Sequence, residues 1–262
     1  MDTRAKRLIM ILDIDVGNTR IKWRALQGDK PIAAGVDALD ETALLDNIEQ
    51  AILAEGADPL IKRVRIASVR DSEQLITLTT NILDKWQVAA EFAETTSSAC
   101  GLQNSYALPS TMGVDRWCGV IAAAHLSSVS VSNVPFCVID AGSALTLDFV
   151  SAQGVHQGGH IAPGYAMQLE SLLGGTDRVF VNAAAEQSLK PADNTGDAVL
   201  SGVLLGMTGL IESTLRAFMA GAEDGVAVII TGGDAEMLQQ HLSITLQHEP
   251  DLVLDGLAHL MP

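Results

Sequence analysis

Positive charge is scarce in this chain. Of 262 residues, 16 are Lys or Arg against 32 Asp or Glu, a formal net charge of −16. Such a surface repels a phosphate backbone and an anionic bilayer. Neither nucleic acid nor membrane is therefore expected as the main partner, although a local basic pocket for a small anion remains compatible. Cysteine is sparse as well: Cys100, Cys118 and Cys137 are far apart and form no CxxC pair. The odd count and wide spacing suit free, buried thiols in a reducing compartment. Long apolar runs are missing, and none approaches the length of a membrane span. The start, "MDTRAKRLIMILDID", superficially resembles a signal peptide, but its apolar stretch is short and no small-residue cleavage site follows. A cytoplasmic protein is expected. What remains is an ordinary globular composition, 48% hydrophobic and 18% charged with mean hydropathy +0.25. The length suffices for one large domain or two small ones.

The first third alternates between strand and helix patterns. Residues 8–16, "RIKWRAL" (20–26) and "KPIAAGV" (30–36) read as three strands joined by tight turns. "ETALLDNIEQAILAEG" then places Leu44, Leu45, Ile48, Ile52 and Leu53 on one helical face, with Gly56 as a stop and Asp58-Pro59 beyond it. "VRIASV" (64–69), a helix over 72–86 and "VAAEFA" (88–93) complete the order β-β-β-α-β-α-β. Three antiparallel strands followed by crossover units predict a mixed sheet covered by helices, an α/β fold. The second half starts over. Aligning Asp140-Ala141-Gly142-Ser143 on Asp15-Val16-Gly17-Asn18 gives an offset of 125 residues, and "HQGGHIAPG" stands where the third strand should be. A helix over about 195–220, the strand "VAVIIT" (226–231) and "GGDAEMLQQHL" follow. This internal duplication predicts two similar α/β domains, 1–127 and 128–262, joined near the linker-like "SSVSVSN".

Asp13 and Asp15 project from one face at the end of the first strand. A buried carboxylate there needs a partner. Gly17 lets the backbone turn sharply, Asn18 and Thr19 add donors, and Lys22 lies just beyond on the second strand. One such hairpin reads equally well as an ordinary Asx turn. Two, one per duplicated half, could grip both ends of a polyphosphate, with Asp13 or Asp15 holding Mg²⁺. "TGGD" (231–234), between a strand and a helix, would let an adenine or ribose approach flat, or is simply a loop. In "SYALPSTMGVDRW" (105–117), Asp115 is a candidate base and Arg116 a bidentate anion clamp. The same residues also suit a helix N-terminus.

Five motifs occur in order: DVGNTRIKW, Y-x-x-P-x-x-x-G-V-D-R-W, D-A-G-S-A-L-T-L-D, G-G-H-I-A-P-G and N-T-G-D-A-V-x-S-G. Together they resemble the type III pantothenate kinases of the actin-like, acetate and sugar kinase superfamily, from about Leu8 to the C-terminus. The resemblance implies two duplicated ribonuclease H-like (actin-like ATPase) domains with a nucleotide cleft between them. It implies ATP-dependent phosphorylation of pantothenate to 4'-phosphopantothenate, the first step of coenzyme A biosynthesis, by a homodimer. Asp15, Val16, Gly17, Asn18, Thr19, Arg20, Ile21 and Lys22 resemble the first phosphate-binding element. Ser143 matches an ATP-contacting position where the family usually has Thr; the hydroxyl is kept. Tyr106, Gly113, Val114, Asp115 and Arg116 resemble the pantothenate site, with Asp115 as general base, and Thr195 matches a further substrate contact. Asp140 matches the site of the monovalent cation, K⁺ or NH₄⁺, that accompanies Mg²⁺ and ATP.

Other features carry less. His156 and His160 would share a strand face but sit too far apart for easy shared ligation of a metal. Gly202, Gly206 and Gly209 stripe the long helix and predict close helix packing, at a subunit interface or within the chain. Cys118 reads as a small buried residue. Two rivals stand beside the pantothenate reading: a sugar or short-acid kinase of the same superfamily, and a non-catalytic accessory or regulatory protein.

Overall fold

The computed structural model describes residues 6–70, 73–131, 134–175, 188–222 and 225–262. Two compact units emerge: Met1–Cys100, Leu108–Ala122 and Val253–Pro262 form the first, Gly101–Ala107 and Ala123–Leu252 the second.

In the first unit, β1 (Lys6–Val16) carries Met10, Leu12 and Ile14 fully buried, so it runs through the core rather than along an edge. β2 (Arg20–Gln27) pairs with it antiparallel, and β3 (Lys30–Ala38) with β2. Asp40 caps α1 (Glu41–Ala54), its carboxylate accepting the Ala43 N–H at 3.2 Å. Leu44, Leu45, Ile48 and Ile52 are buried as the periodicity requires. Leu53 departs from that expectation: it is 48% exposed, because one residue beyond Ile52 turns it about 100° away from the stripe. Gly56, at φ +75°, ends the helix in the left-handed region.

The next strand, β4 (Ala57–Ser68), begins well before the "VRIASV" stretch and absorbs Asp58-Pro59, which had read as a break. Pro59 lies beside Leu8 of β1. On the other side β5 (Ala90–Phe92) pairs only with Val64–Ile66, so no neighbour there needs the N–H that proline lacks. α2 (Glu73–Trp86) crosses between them and buries Leu78 and Ile82. The sheet order is β3-β2-β1-β4-β5, with β1, β4 and β5 parallel.

After β6 (Ser98–Ala99), β7 (Leu102–Gln103) and a 3₁₀ turn at Pro109–Thr111 come α3 (Val114–His125) and α4 (Ser127–Ser130). The linker-like stretch is therefore partly helical; its residues 132 and 133 lie outside the described residues. The second unit repeats the first. β8 (Phe136–Ala141), β9 (Ala144–Val150) and β10 (His156–Pro163) form the antiparallel set. α5 (Tyr165–Gly174) and α6 (Thr195–Met219) precede β11 (Ala227–Thr231), and α7 (Ala235–Gln239) precedes β12 (Gln247–His248). The order β10-β9-β8-β11-β12 has the same parallel and antiparallel pattern as the first sheet. The 125-residue offset carries Val16, the last residue of β1, onto Ala141, the last of β8. The expected duplication is present in the topology itself.

α6 is long and apolar enough to cross a membrane by length and composition. Its Val203, Leu204, Met207, Ile211 and Leu215 are instead packed into the second unit's core against β8 and β9 side chains such as Ile139 and Leu147. Its glycine stripe departs from the packing expectation within this chain: a Cβ on Gly202, Gly206 or Gly209 would meet nothing within 4 Å. The last helix, α8 (Leu252–Leu260), places Leu257 against Ala67, Val114 and Cys118 of the first unit.

Candidate functional site

In the first unit the end of β1 carries the acidic turn. Asp13 is fully buried, and its carboxylate accepts from Arg24 Nε at 3.0 Å and from Arg65 Nε and Nη2 at 2.7 and 3.1 Å. Arg24 reaches on to the Asp255 carboxylate and the Leu254 carbonyl, and Arg65 to the Met261 carbonyl. Burial pushes the Arg24 guanidinium down, but the hydrogen bonds to Asp255 and Asp13 more than offset it and leave it above its usual value. Asp13 is thus the anchor of a buried ion network, and the expectation that it could hold Mg²⁺ is corrected: two guanidinium groups already occupy it.

Asp15, two residues on, is half-buried and lies opposite Lys22 on β2 and beside Ala67 on β4. The Gly17 N–H donates to the Arg20 carbonyl at 3.1 Å and closes the turn. Asn18, Thr19 and Arg20 are exposed, whereas Val16 and Ile21 point into the core, so only their backbones face the turn. Arg70 was not singled out from sequence. It sits just past β4, and its Nη1 donates to the Asn18 carbonyl at 3.5 Å. The signal for it is positional: a basic residue at the carboxyl end of a parallel strand, beside the turn.

α3 starts immediately after Gly113. Asp115 is half-buried in its first turn, and one carboxylate oxygen accepts the Arg116 N–H at 2.7 Å. That oxygen lies 2.5 Å from where a Cβ on Gly113 would stand, so glycine makes room for the carboxylate. Val114 is buried against Ala67, and Arg116 is 7% exposed. One turn on, burial pushes the Cys118 thiol well up, and the nearby charges of Asp15 and Asp115 push it further. Cys118 is therefore a neutral core residue. The first unit brings together Asp15, Lys22, Gly113 and Asp115 where β1, β4 and α3 converge.

In the second unit Asp140 and Ser143 occupy the equivalent turn, both half-buried. The Gly142 N–H donates to the Ala144 carbonyl at 3.1 Å, matching Gly17. Two other glycines close around this turn. Gly164 donates its N–H to the Ser143 carbonyl at 3.0 Å and has no room for a Cβ beside it. Gly232, at φ +97°, lies against Ala141, and a Cβ there would also stand 2.6 Å from an Asp140 oxygen. The Asp234 N–H donates to the Ala141 carbonyl at 2.9 Å. Gly232 of "TGGD" thus lets the β11 loop approach the Asp140 turn. Burial, and then the charge of Asp234, push the Tyr165 phenol up.

Thr195 is exposed at the start of α6, where the Asn194 side chain caps the Asp197 N–H at 3.0 Å. It lines a cavity of about 400 Å³ with Gln168, Leu172 and Gly202. A second cavity of about 370 Å³ lies around Lys190, Asp197 and Ser201. Neither includes Asp140 or Ser143. Tyr106 is half-buried, its N–H donating to the Asn104 side chain at 2.9 Å.

The histidine pair departs from expectation. His156 is 1% exposed and meets Asp148 at 2.8 Å, whereas His160 is exposed, with Phe149 edge-on to its ring. A register shift between His156 and Gly159 breaks the alternation that would have put both on one face. Among the described residues no group of three or more His, Cys, Asp or Glu is arranged to hold a metal ion. A nucleotide-borne cation that keeps its waters asks for less, one or two carboxylates, and Asp15 meets that requirement.

The sequence model of the family described as type III pantothenate kinase matches residues 11–217. A type III pantothenate kinase of Nitrosococcus oceani is 33% identical, over 96% of this chain and 93% of its own. One from Pseudomonas aeruginosa is 33% identical over 97% and 99%. Among solved structures, a Campylobacter jejuni protein described as a Baf family transcriptional activator superposes with TM-score 0.58 at 22% identity, covering 95% of this chain and 96% of that one. A Sinorhizobium meliloti protein described as a 2-dehydro-3-deoxygalactonokinase gives 0.53 at 17% identity, covering 95% and 97%. At these identities the superpositions speak for the fold, the mixed α/β actin-like ATPase fold with its two sheets.

Proposed function

The chain belongs to the type III pantothenate kinase family, and we propose that it transfers the γ-phosphoryl group of ATP to the primary hydroxyl of pantothenate, the first step of coenzyme A biosynthesis. The observation that carries this reading is the Asp115 carboxylate, held in the first turn of α3 against Gly113.

Asp115 would accept the hydroxyl proton as that oxygen attacks the γ-phosphorus in line and ADP leaves. Arg116 and Tyr106 would orient pantothenate, with Gly113, Val114 and Thr195 completing its contacts. The turn from Asp15 to Lys22 would hold phosphate, and Ser143 would contact ATP as the family's pattern implies. Mg²⁺ carried with ATP beside Asp15, and K⁺ or NH₄⁺ beside Asp140, would supply neutralising charge. On the family's pattern Asp140 takes the monovalent cation, whose charge would offset carboxylate–phosphate repulsion. The open glycine stripe of α6, with Leu205 54% exposed beside it, supports a homodimer. The reading includes a cytoplasmic location.

The likeness to a protein described as a transcriptional activator raises a regulatory alternative. The net charge of −16 argues against direct DNA binding, and Asp15, Asp115 and Asp140 are all retained. ADP release measured with pantothenate, with a panel of sugars and acetate, and with no acceptor decides among these readings. Turnover that depends on pantothenate alone is expected. Equal rates with a sugar, or none with any acceptor, would overturn the proposal.

A further inference from the structure

The His156–Asp148 contact belongs to a longer arrangement that the phosphoryl-transfer reading does not use. Asp148 on β9 and His156 at the start of β10 are each 1% exposed. Nε2 of His156 lies 2.8 Å from Asp148 Oδ1, and Nδ1 lies 3.1 Å from the hydroxyl of the exposed Ser105. A carboxylate only accepts, so Nε2 carries a proton, and Nδ1 faces the Ser105 hydroxyl, which can donate or accept. The imidazole also lies against the next side chain, Tyr106, with ring centroids 5.9 Å apart.

The start of the segment carrying Ser105 and Tyr106 is held by β7, which pairs with β6, and by Gln103, which bridges Val155. The Gln103 N–H donates to the Gly154 carbonyl at 2.9 Å, and the Tyr106 N–H to the Asn104 side chain. Ser105, Tyr106 and Ala107 lie in no helix or strand. A buried, charge-assisted pair is stiff and directional, whereas an exposed loop is not.

We propose that Asp148 and His156 are positioning residues that orient the Ser105–Ala107 stretch through the Ser105 hydroxyl, and so fix where Tyr106 meets the substrate. The inference rests on the reading of Tyr106 as a pantothenate contact. The arrangement has the residue types of a hydrolytic triad, but its function here is orientation: it costs the loop its freedom before the substrate arrives.

The test combines kinetics with amide hydrogen exchange on the full-length chain. Ser105 is exposed, so Ser105→Ala removes the hydroxyl without opening a core cavity. The expected result is a KM for pantothenate raised about three- to tenfold, the range of one lost hydrogen bond, with kcat and the KM for ATP changed less than about twofold. Exchange at the Tyr106 amide should quicken to match. Ser105→Thr keeps a hydroxyl and should restore both. His156→Phe, which keeps the ring and loses both nitrogens, should reproduce the Ser105→Ala pattern in protein that still melts cooperatively. Should it fail to fold, the Ser105 variants decide alone. Unchanged exchange in Ser105→Ala overturns the proposal, and so does quickened exchange with an unmoved pantothenate KM. A wild-type chain that turns over ATP without regard to pantothenate sinks the kinase reading instead, and the exchange data then still decide whether the relay holds the loop.

Discussion

Asp13 and Asp15 lie on one face of one strand, and their neighbours give them opposite roles. Asp13 is enclosed by Arg24 and Arg65, two guanidinium groups that are themselves buried. Removing its charge takes the carboxylate from Arg65 and leaves Arg24 with Asp255 alone in a low-dielectric site. Asp13→Asn should therefore lose about 3–5 kcal/mol of stability, read as a lower urea midpoint, without a specific change in the KM for ATP. Asp115 is the base in the proposed reaction, and on that proposal its substitution should show the reverse. Asp115→Asn should keep the melting temperature and lower kcat by roughly 10²- to 10⁴-fold, the usual share of general-base catalysis; a near-normal kcat would remove it from the base position. Asp140 sits in the same turn as Asp15 without a Lys22 equivalent. Turnover should rise when K⁺ or NH₄⁺ replaces Na⁺ at constant Mg²⁺, and Asp140→Asn should blunt that response. Equal rates in K⁺-free and K⁺-containing buffer would eliminate the monovalent ion.

Helix crossings set the precision of the elements around these residues. α3 carries Asp115 in its first turn, and α8 packs across it where Gly256 meets the backbone of Cys118. A Cβ at Gly256 would fall on the Cys118 carbonyl, a rigid obstacle rather than a flexible side chain. Gly256→Ala should destabilise the fold by about 1–3 kcal/mol, the cost of overpacking, measured by urea unfolding. Because α3 would shift to relieve the clash, kcat should fall as well. The strands were largely legible because their periodicity is strong: β1, β2, β8 and β9 occur where the apolar runs predict them. The starts and irregularities were not. β4 begins at Ala57 because β5 is too short to demand the Pro59 N–H, and His156 is buried because of a bulge in β10. Both depend on what the neighbouring strand does, which no local window contains.

At the scale of the molecule the duplication governs. Two sheets with the same order and pattern give two equivalent acidic turns, each closed by a glycine N–H. Among the described residues nothing would meet a Cβ on Gly202, Gly206 or Gly209 of α6. Light scattering at micromolar concentration should give twice the 27.6 kDa of the chain, and Gly206→Leu should shift it toward a monomer. A monomer mass for the wild type would refute the dimer.

The sequence by itself determined the α/β class, the internal repeat, the positions of the acidic turns and the family. Each rests on local spacing or on motif order, which a chain carries without folding. Tertiary structure alone decided which carboxylate is locked in a buried ion network. Asp13 and Asp15 have the same spacing and chemistry, and only the arrival of Arg65 from β4 and Arg24 from β2, braced by the last helix, separates them. The same holds for His156, whose partners Ser105 and Asp148 are 51 and 8 residues away along the chain. Charge pairing in a core depends on distance in space, and that distance is set by the packing of sheets and helices rather than by any stretch of residues.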